Sequence, residues 1–198
     1  MTWGATTRFR NSASAIDSCI PLSSALSRSS RAVTALSLTM SLVAAAQPVA
    51  VTDDSGHTLT LPRPAQRVIA LGPHLTEQVY AVGGGAQLVG VSRYSNYPAD
   101  ALKLPIVGDA VAINHEQIAQ LKPDLVLVWR TGFPDRARAP LAALGVPVFD
   151  SEIRSVPELA RSLRTIGRLL GHAAEGEAAA RRFEADWAQL QADYAHKS

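Results

Sequence analysis

Cysteine is nearly absent from this chain: the 198 residues contain one, Cys19. It lies in a Ser- and Ala-rich stretch that is expected to be removed, so the mature chain would hold none. That excludes disulfides, thiol catalysis and cysteine-based metal sites. Lipidation at Cys19 is not expected either, because Asp17-Ser18 precedes it and the apolar run comes only later. Net charge of one sign is also missing from the body of the chain. The formal net charge is +2, but Arg8, Arg10, Arg28 and Arg31 precede residue 47 against Asp17 alone. The remainder carries 15 basic and 16 acidic residues, a net of −1. A near-neutral body with scattered signs gives no electrostatic reason to expect nucleic acid. Long hydrophobic runs are lacking too. The most apolar segment, Ala32–Val43, is diluted by Thr34, Ser37, Thr39 and Ser41 and is too short for a comfortable membrane span. Aromatics make up only 6% of the residues, so each one placed in a polar loop is informative.

Hydrophobic residues make up 47% and charged ones 18%, a globular composition with enough chain for one domain and a sizeable core. The first 46 residues read as an export leader. Arg28 and Arg31 flank the apolar run, and Ala44-Ala45-Ala46 supplies the small residues of a cleavage site before Gln47. The expected location is therefore the periplasm.

Beyond the leader the pattern alternates. Val49–Thr52 and His57–Leu61 are β-prone runs around Asp53-Asp54-Ser55-Gly56, which predicts a hairpin. Val68–Leu71, Leu88–Ser92, Asp124–Trp129 and Val146–Phe149 read as short apolar strands. Helices are expected over Leu75–Val82, closed by Gly83-Gly84-Gly85, and over His115–Leu121, capped by Asn114. A third is expected over Pro134–Leu144, with Pro140 implying a kink or a late start. Strands alternating with helices predict an α/β fold with a doubly wound parallel sheet, preceded by the hairpin. Ligands of such sheets sit at the carboxyl ends of the strands. The segments there are Gly72–Thr76, Ser92–Pro98, Trp129–Pro134 and Asp150–Arg154. At the end, Leu159, Leu163, Ile166 and Leu170 form one helical stripe. Gly171 interrupts it, and Phe183, Trp187, Leu190 and Tyr194 repeat the spacing. The domain reading is 1–46 leader, 47–155 α/β ligand-binding lobe and 156–198 long connecting helix.

Several residues fit a binding role in those loops. Tyr94 and Tyr97 sit in a polar, Pro-terminated segment, and Trp129 ends a strand just before Arg130, Thr131 and Gly132. Pro73 and His74 follow the first strand. The five histidines, at 57, 74, 115, 172 and 196, show no helical ligand spacing, so no metal site and no cofactor are expected. Gly83-Gly84-Gly85 follows a helix rather than a strand and reads as a terminator, not a phosphate loop. Ser92 and Ser95 lack a nucleophile-elbow frame, so an enzyme is not expected. Docking of a protein through the Phe183–Tyr194 stripe is the remaining alternative.

Four segments carry a more specific signal: Arg67–Glu77, Val91–Pro98, Asn114–Ile118, and Leu121–Val126 with Trp129-Arg130. In order and spacing they resemble periplasmic receptors for cobalamin, haem and ferric siderophores, and Val91–Pro98 is closest to the cobalamin branch. The resemblance covers about residues 49–196. It implies the ligand-binding component of an ABC importer, in which two α/β lobes joined by one long rigid helix clamp the ligand. This chain resembles the first lobe and that helix, with the second lobe absent. By the resemblance, Tyr94 packs on the corrin ring, Trp129 lines the cleft, and Glu116 docks on an inner-membrane permease. Groups of Pro73-His74 and Thr131-Gly132 are expected to orient the ligand edge, with Tyr97 beside them. A corrinoid is the expected ligand, haem or a ferric siderophore the alternative, and a monomer the expected state. One departure stands out: where the branch often places a tryptophan against the ligand, this chain has Ala110.

Overall fold

The computed structural model describes residues 47–195, apart from 110 and 134. The expected leader, Ala110, Pro134 and His196 therefore lie outside the described residues.

Strands β1 (Val49–Thr52) and β2 (Thr58–Leu61) pair antiparallel. The turn between them is built by Asp53, whose carboxylate accepts from the amides of Ser55 and His57, each at 2.9 Å. Next come β3 (Val68–Leu71), α1 (Pro73–Ala81), β4 (Leu88–Ser92) and β5 (Ile106–Gly108). They are followed by α2 (His115–Leu121), β6 (Leu125–Trp129), α3 (Arg138–Ala143) and β7 (Val148–Ser151). The five central strands form one sheet of order β5-β4-β3-β6-β7, every pair parallel. Both faces are covered, which is why β3 and β6 read as continuous apolar runs. Val68 and Ala70 face one core with Leu125, Leu127 and α1, whereas Ile69 and Leu71 face the other with Val126, Val128 and α2. The doubly wound reading is therefore the observed fold.

Several expected boundaries move, some by a single residue, as at Thr58 and Leu125. Helix α1 begins at Pro73 rather than Leu75, because a proline at the first helical position gives up an amide that had no partner. The third helix begins late, at Arg138, after a 3-10 turn over Asp135–Ala137, and Pro140 then falls in its first turn. The last strand runs from Val148 to Ser151, with the Pro147 carbonyl accepting from the Val126 amide. Strand β5 was not expected at all; it has three residues, and Ile106 is half exposed at the sheet edge.

The segment expected as one connecting helix is two. Helix α4 (Val156–Leu170) ends at Gly171, which adopts φ 80°, and α5 (Ala173–Tyr194) packs back against α4. The corner is tight: a Cβ on Gly167 would stand 2.8 Å from the Gly176 Cα. Leu163, Ile166, Leu169 and Leu170 seat α4 on the sheet, at about 2 kcal/mol for each such side chain buried. Arg164 crosses to α5, donating to Glu177 (2.8 Å) and by two nitrogens to Glu184 (2.8 and 2.9 Å). Exposed ion pairs contribute little to stability, so burial holds the helix and the arginine sets how α5 lies on it.

Candidate functional site

Because all five strands run parallel, their carboxyl ends share one edge. The chain builds outward from β3 to β4 and β5, then returns to place β6 on the other side of β3. The crevice at such a reversal is where α/β sheets receive ligands. Here the two strands bordering it end in Gly72-Pro73-His74 and in Trp129. His74 and Trp129 meet across the junction edge to face, with ring centroids 5.6 Å apart and planes at 87°.

The indole is fixed from its own loop as well. A Cβ built on Gly132 would fall 2.0 Å from the Trp129 Cε3, so the ring occupies space that only a glycine leaves open. The His74 ring makes no hydrogen bond among the described residues. Burial pushes its pKa below the ordinary value, against the smaller opposing pull of the Glu77 and Glu152 carboxylates. The shift favours the uncharged imidazole at neutral pH.

A groove of about 660 Å³ opens from this junction. His74, Tyr97, Trp129 and Ile153 line it, one from each of the four strand-end loops named above. Its second wall comes from the helices: Glu77 and Gln78 of α1, Leu159 and Leu163 of α4, and Arg182 and Phe183 of α5. The loop carrying the tyrosines is tied down by buried hydroxyls. Thr76 Oγ1 donates to Ser95 Oγ at 3.0 Å, and Ser92 Oγ lies 3.3 Å from the same atom. Tyr94, at φ 69°, and Tyr97 project from this loop, 73% and 69% exposed.

The structure thus brings His74, Tyr97 and Trp129 together and leaves Tyr94 outside the groove lining. Pro73 is half-buried at the start of α1. Thr131 differs from expectation: its amide donates to Glu152 Oε2 at 3.1 Å and its hydroxyl to Oε1 at 3.2 Å. The amide expected to face a ligand is committed to that carboxylate, while Gly132 serves the indole. Glu116 is exposed in the first turn of α2, with the Asn114 side chain capping at the Gln117 amide (3.0 Å). It stands on the helix covering the sheet face opposite α1, apart from the groove. Among the described residues no group of three His, Cys, Asp or Glu side chains is arranged to hold a metal ion.

Sequence reasoning missed the α5 wall. It assigned Phe183 to one outward stripe with Trp187, Leu190 and Tyr194. Phe183 is half-buried in the groove, and the other three are exposed. The signal was present as the neighbouring small residues Ala179 and Ala180, which let α5 approach the lobe.

Comparison with known proteins agrees with this geometry. Residues 68–198 match the periplasmic binding protein family. The vitamin B12-binding protein of Vibrio cholerae serotype O1 is 40% identical over 137 residues, covering 69% of this chain and 50% of that protein. The vitamin B12-binding protein of Pectobacterium atrosepticum is 42% identical over 134 residues, covering 67% and 48%. Among solved structures, the periplasmic vitamin B12-binding protein of Vibrio cholerae aligns with a TM-score of 0.64 at 40% identity. That alignment covers 67% of this chain and 52% of that one. A periplasmic haem-binding protein from Pseudomonas aeruginosa aligns at 0.61 and 30% identity, covering 66% and 47%. The chain spans about half the length of the curated relatives it matches.

Proposed function

This chain belongs to the periplasmic binding protein family, and we propose that it is the solute-binding part of an ABC importer that captures a corrinoid in the periplasm. The observation that carries the reading is the aromatic junction of His74 and Trp129 at the sheet's switch point, opening into a groove of about 660 Å³. A flat, largely apolar macrocycle gains most from rigid aromatic surfaces, which bury much area with few rotamers to lose. Trp129 and the exposed Tyr94 and Tyr97 offer such surfaces. His74 offers its ring nitrogens at the edge, and Pro73, which has no amide proton, stands beside it at the start of α1. Thr131 and Gly132 act one step back, through Glu152 and the indole.

The names of the relatives favour vitamin B12 over haem. The two curated relatives named above, 40% and 42% identical, are vitamin B12-binding proteins, whereas the haem-binding neighbour is 30% identical. Capture requires no chemistry at the ligand, so this reading assigns no catalytic residue. The ligand-binding lobe over residues 47–155 is completed by α4, which seats on its sheet, and α5 supplies the connection to a second lobe. Residues 1–46 direct export, and Glu116 docks the loaded receptor, as a monomer, on the membrane permease. A charge-assisted contact from an exposed carboxylate suits that role.

Calorimetric titration of the purified chain with cyanocobalamin, with haem in parallel, tests the assignment. Saturable cobalamin binding that is lost on Trp129→Ala supports it. Binding of haem alone transfers the site to the alternative ligand, and a lack of saturable corrinoid binding removes the reading.

A further inference from the structure

The charged residues of the groove are not matched to one another. Arg182 lines it from α5, yet its guanidinium makes no hydrogen bond or ion pair among the described residues. Asp186, one turn further along α5, also lines the groove, and the two do not pair. An arginine preceding an acid by four residues is the less favourable orientation on a helix. Glu77 faces the groove from α1, likewise without an ion-pair partner. Beside these groups the floor is apolar, formed by Leu159, Leu163 and Phe183. One cation without a partner among the described residues, set in an apolar lining that also holds two carboxylates, defines a narrow ligand chemistry. It accepts one anionic group attached to a flat apolar body. It disfavours a second anion, which would lie against Glu77 or Asp186.

We propose that Arg182 reads the single phosphodiester of the ligand's nucleotide arm, while the arm's aromatic base packs on Leu159, Leu163 and Phe183. This rests on the corrinoid reading and adds to it the part of the ligand that the groove distinguishes. Guanidinium suits the task because its fork of donors matches two phosphate oxygens at once. A haem, with two carboxylates and no such arm, meets the same wall with one carboxylate unpaired. The α5 wall is thus a selectivity element, and the strand-end aromatics are the general macrocycle platform.

The test is a cycle of two ligands and several variants of the purified chain. Cyanocobalamin carries the nucleotide arm, and dicyanocobinamide has the corrin without it. Wild type is expected to prefer cobalamin by about fivefold to tenfold, the scale of one charge-assisted contact discounted for solvent. Arg182→Ala is expected to reduce the preference to within about twofold by weakening cobalamin while sparing cobinamide, and Arg182→Lys to fall between them. Trp129→Ala is expected to weaken both ligands alike. Equal affinity of wild type for both ligands overturns the assignment of Arg182, as does an Arg182→Ala variant that weakens both equally. Binding of neither corrinoid overturns the corrinoid reading itself, and this proposal with it.

Discussion

The His74 imidazole meets the Trp129 indole at 87° and 5.6 Å, joining the loop after β3 to the end of β6. The relationship spans two strands that pair directly but are separated in sequence by an α-β-β-α excursion. Sheet order alone places the two rings together. The consequence is a preformed platform: the indole is bounded by Gly132 on its own loop and by His74 across the junction.

His74 makes the platform sensitive to acid. Burial is the largest cause of its lowered pKa. The unfolded chain, with an ordinary imidazole near 6.5, therefore binds the proton before the folded chain does. The stabilising contribution is fully present above pH 6.5 and is lost as pH falls through the lower folded value. Titration of the His74 ring by NMR is expected to give a midpoint below the ordinary imidazole value of 6.5. In Trp129→Ala, which uncovers the ring, the midpoint is expected to rise toward the ordinary value. A His74 midpoint at or above 6.5 would contradict the account.

Gly132→Ala tests whether the indole depends on the bare backbone beneath it. The added methyl would fall inside the ring's present volume, so either the ring swings away or the loop shifts. With Trp3 and Trp187 replaced by Phe, the remaining indole reports Trp129 alone. Its emission is expected to move to longer wavelength, with circular dichroism unchanged and cobalamin affinity lowered by about tenfold, the scale of one lost aromatic contact. An unshifted spectrum with unchanged affinity would show that the loop absorbs the methyl freely.

Much of this was legible in sequence, and the rest was not for definite reasons. Val68–Leu71 and Leu125–Val128 announced themselves because strands buried on both faces leave no polar alternation. The loops after these strands followed from the rule that parallel strands end on one edge. Strand β5 was invisible because three residues between Pro105 and Asp109 carry no period. Gly171 announced a break in the helical pattern. The return of α5 along α4, however, depends on Gly167 and Gly176 meeting backbone to backbone, a non-local fact. The α5 wall, and with it Arg182, followed from that return and stayed hidden with it.

Arg164 links the packing of the two last helices to pH and salt. Its hydrogen bonds to Glu184 and Glu177 hold both carboxyls below their usual range. Their contribution is therefore present above the ordinary carboxylate pKa and is lost as pH falls through the lower folded values. Arg164→Ala is expected to lower Tm by a few degrees at most, the scale of losing exposed pairs. The deficit is expected to shrink at high salt and in acid, where wild type loses the same pairs. A deficit independent of both would assign Arg164 to apolar packing through its stem.

Glu116 separates docking from capture. It is exposed on α2, behind the sheet face opposite the groove wall, so removing its carboxylate leaves every groove residue in place. In a full-length receptor carrying this lobe, Glu116→Ala is expected to leave cobalamin affinity within about twofold. Uptake by cells that depend on the receptor is expected to fall by about tenfold or more, because a carboxylate desolvated against a cationic pocket costs several kcal/mol to lose. Glu116→Gln keeps the shape and the hydrogen bonds but not the charge, and it is expected to resemble the alanine variant if charge is what docks. Uptake preserved by Gln but lost with Ala would assign the contact to shape and hydrogen bonding. Uptake preserved by both would place the docking surface elsewhere on the lobe and leave Glu116 as a favourable acid in a helix first turn.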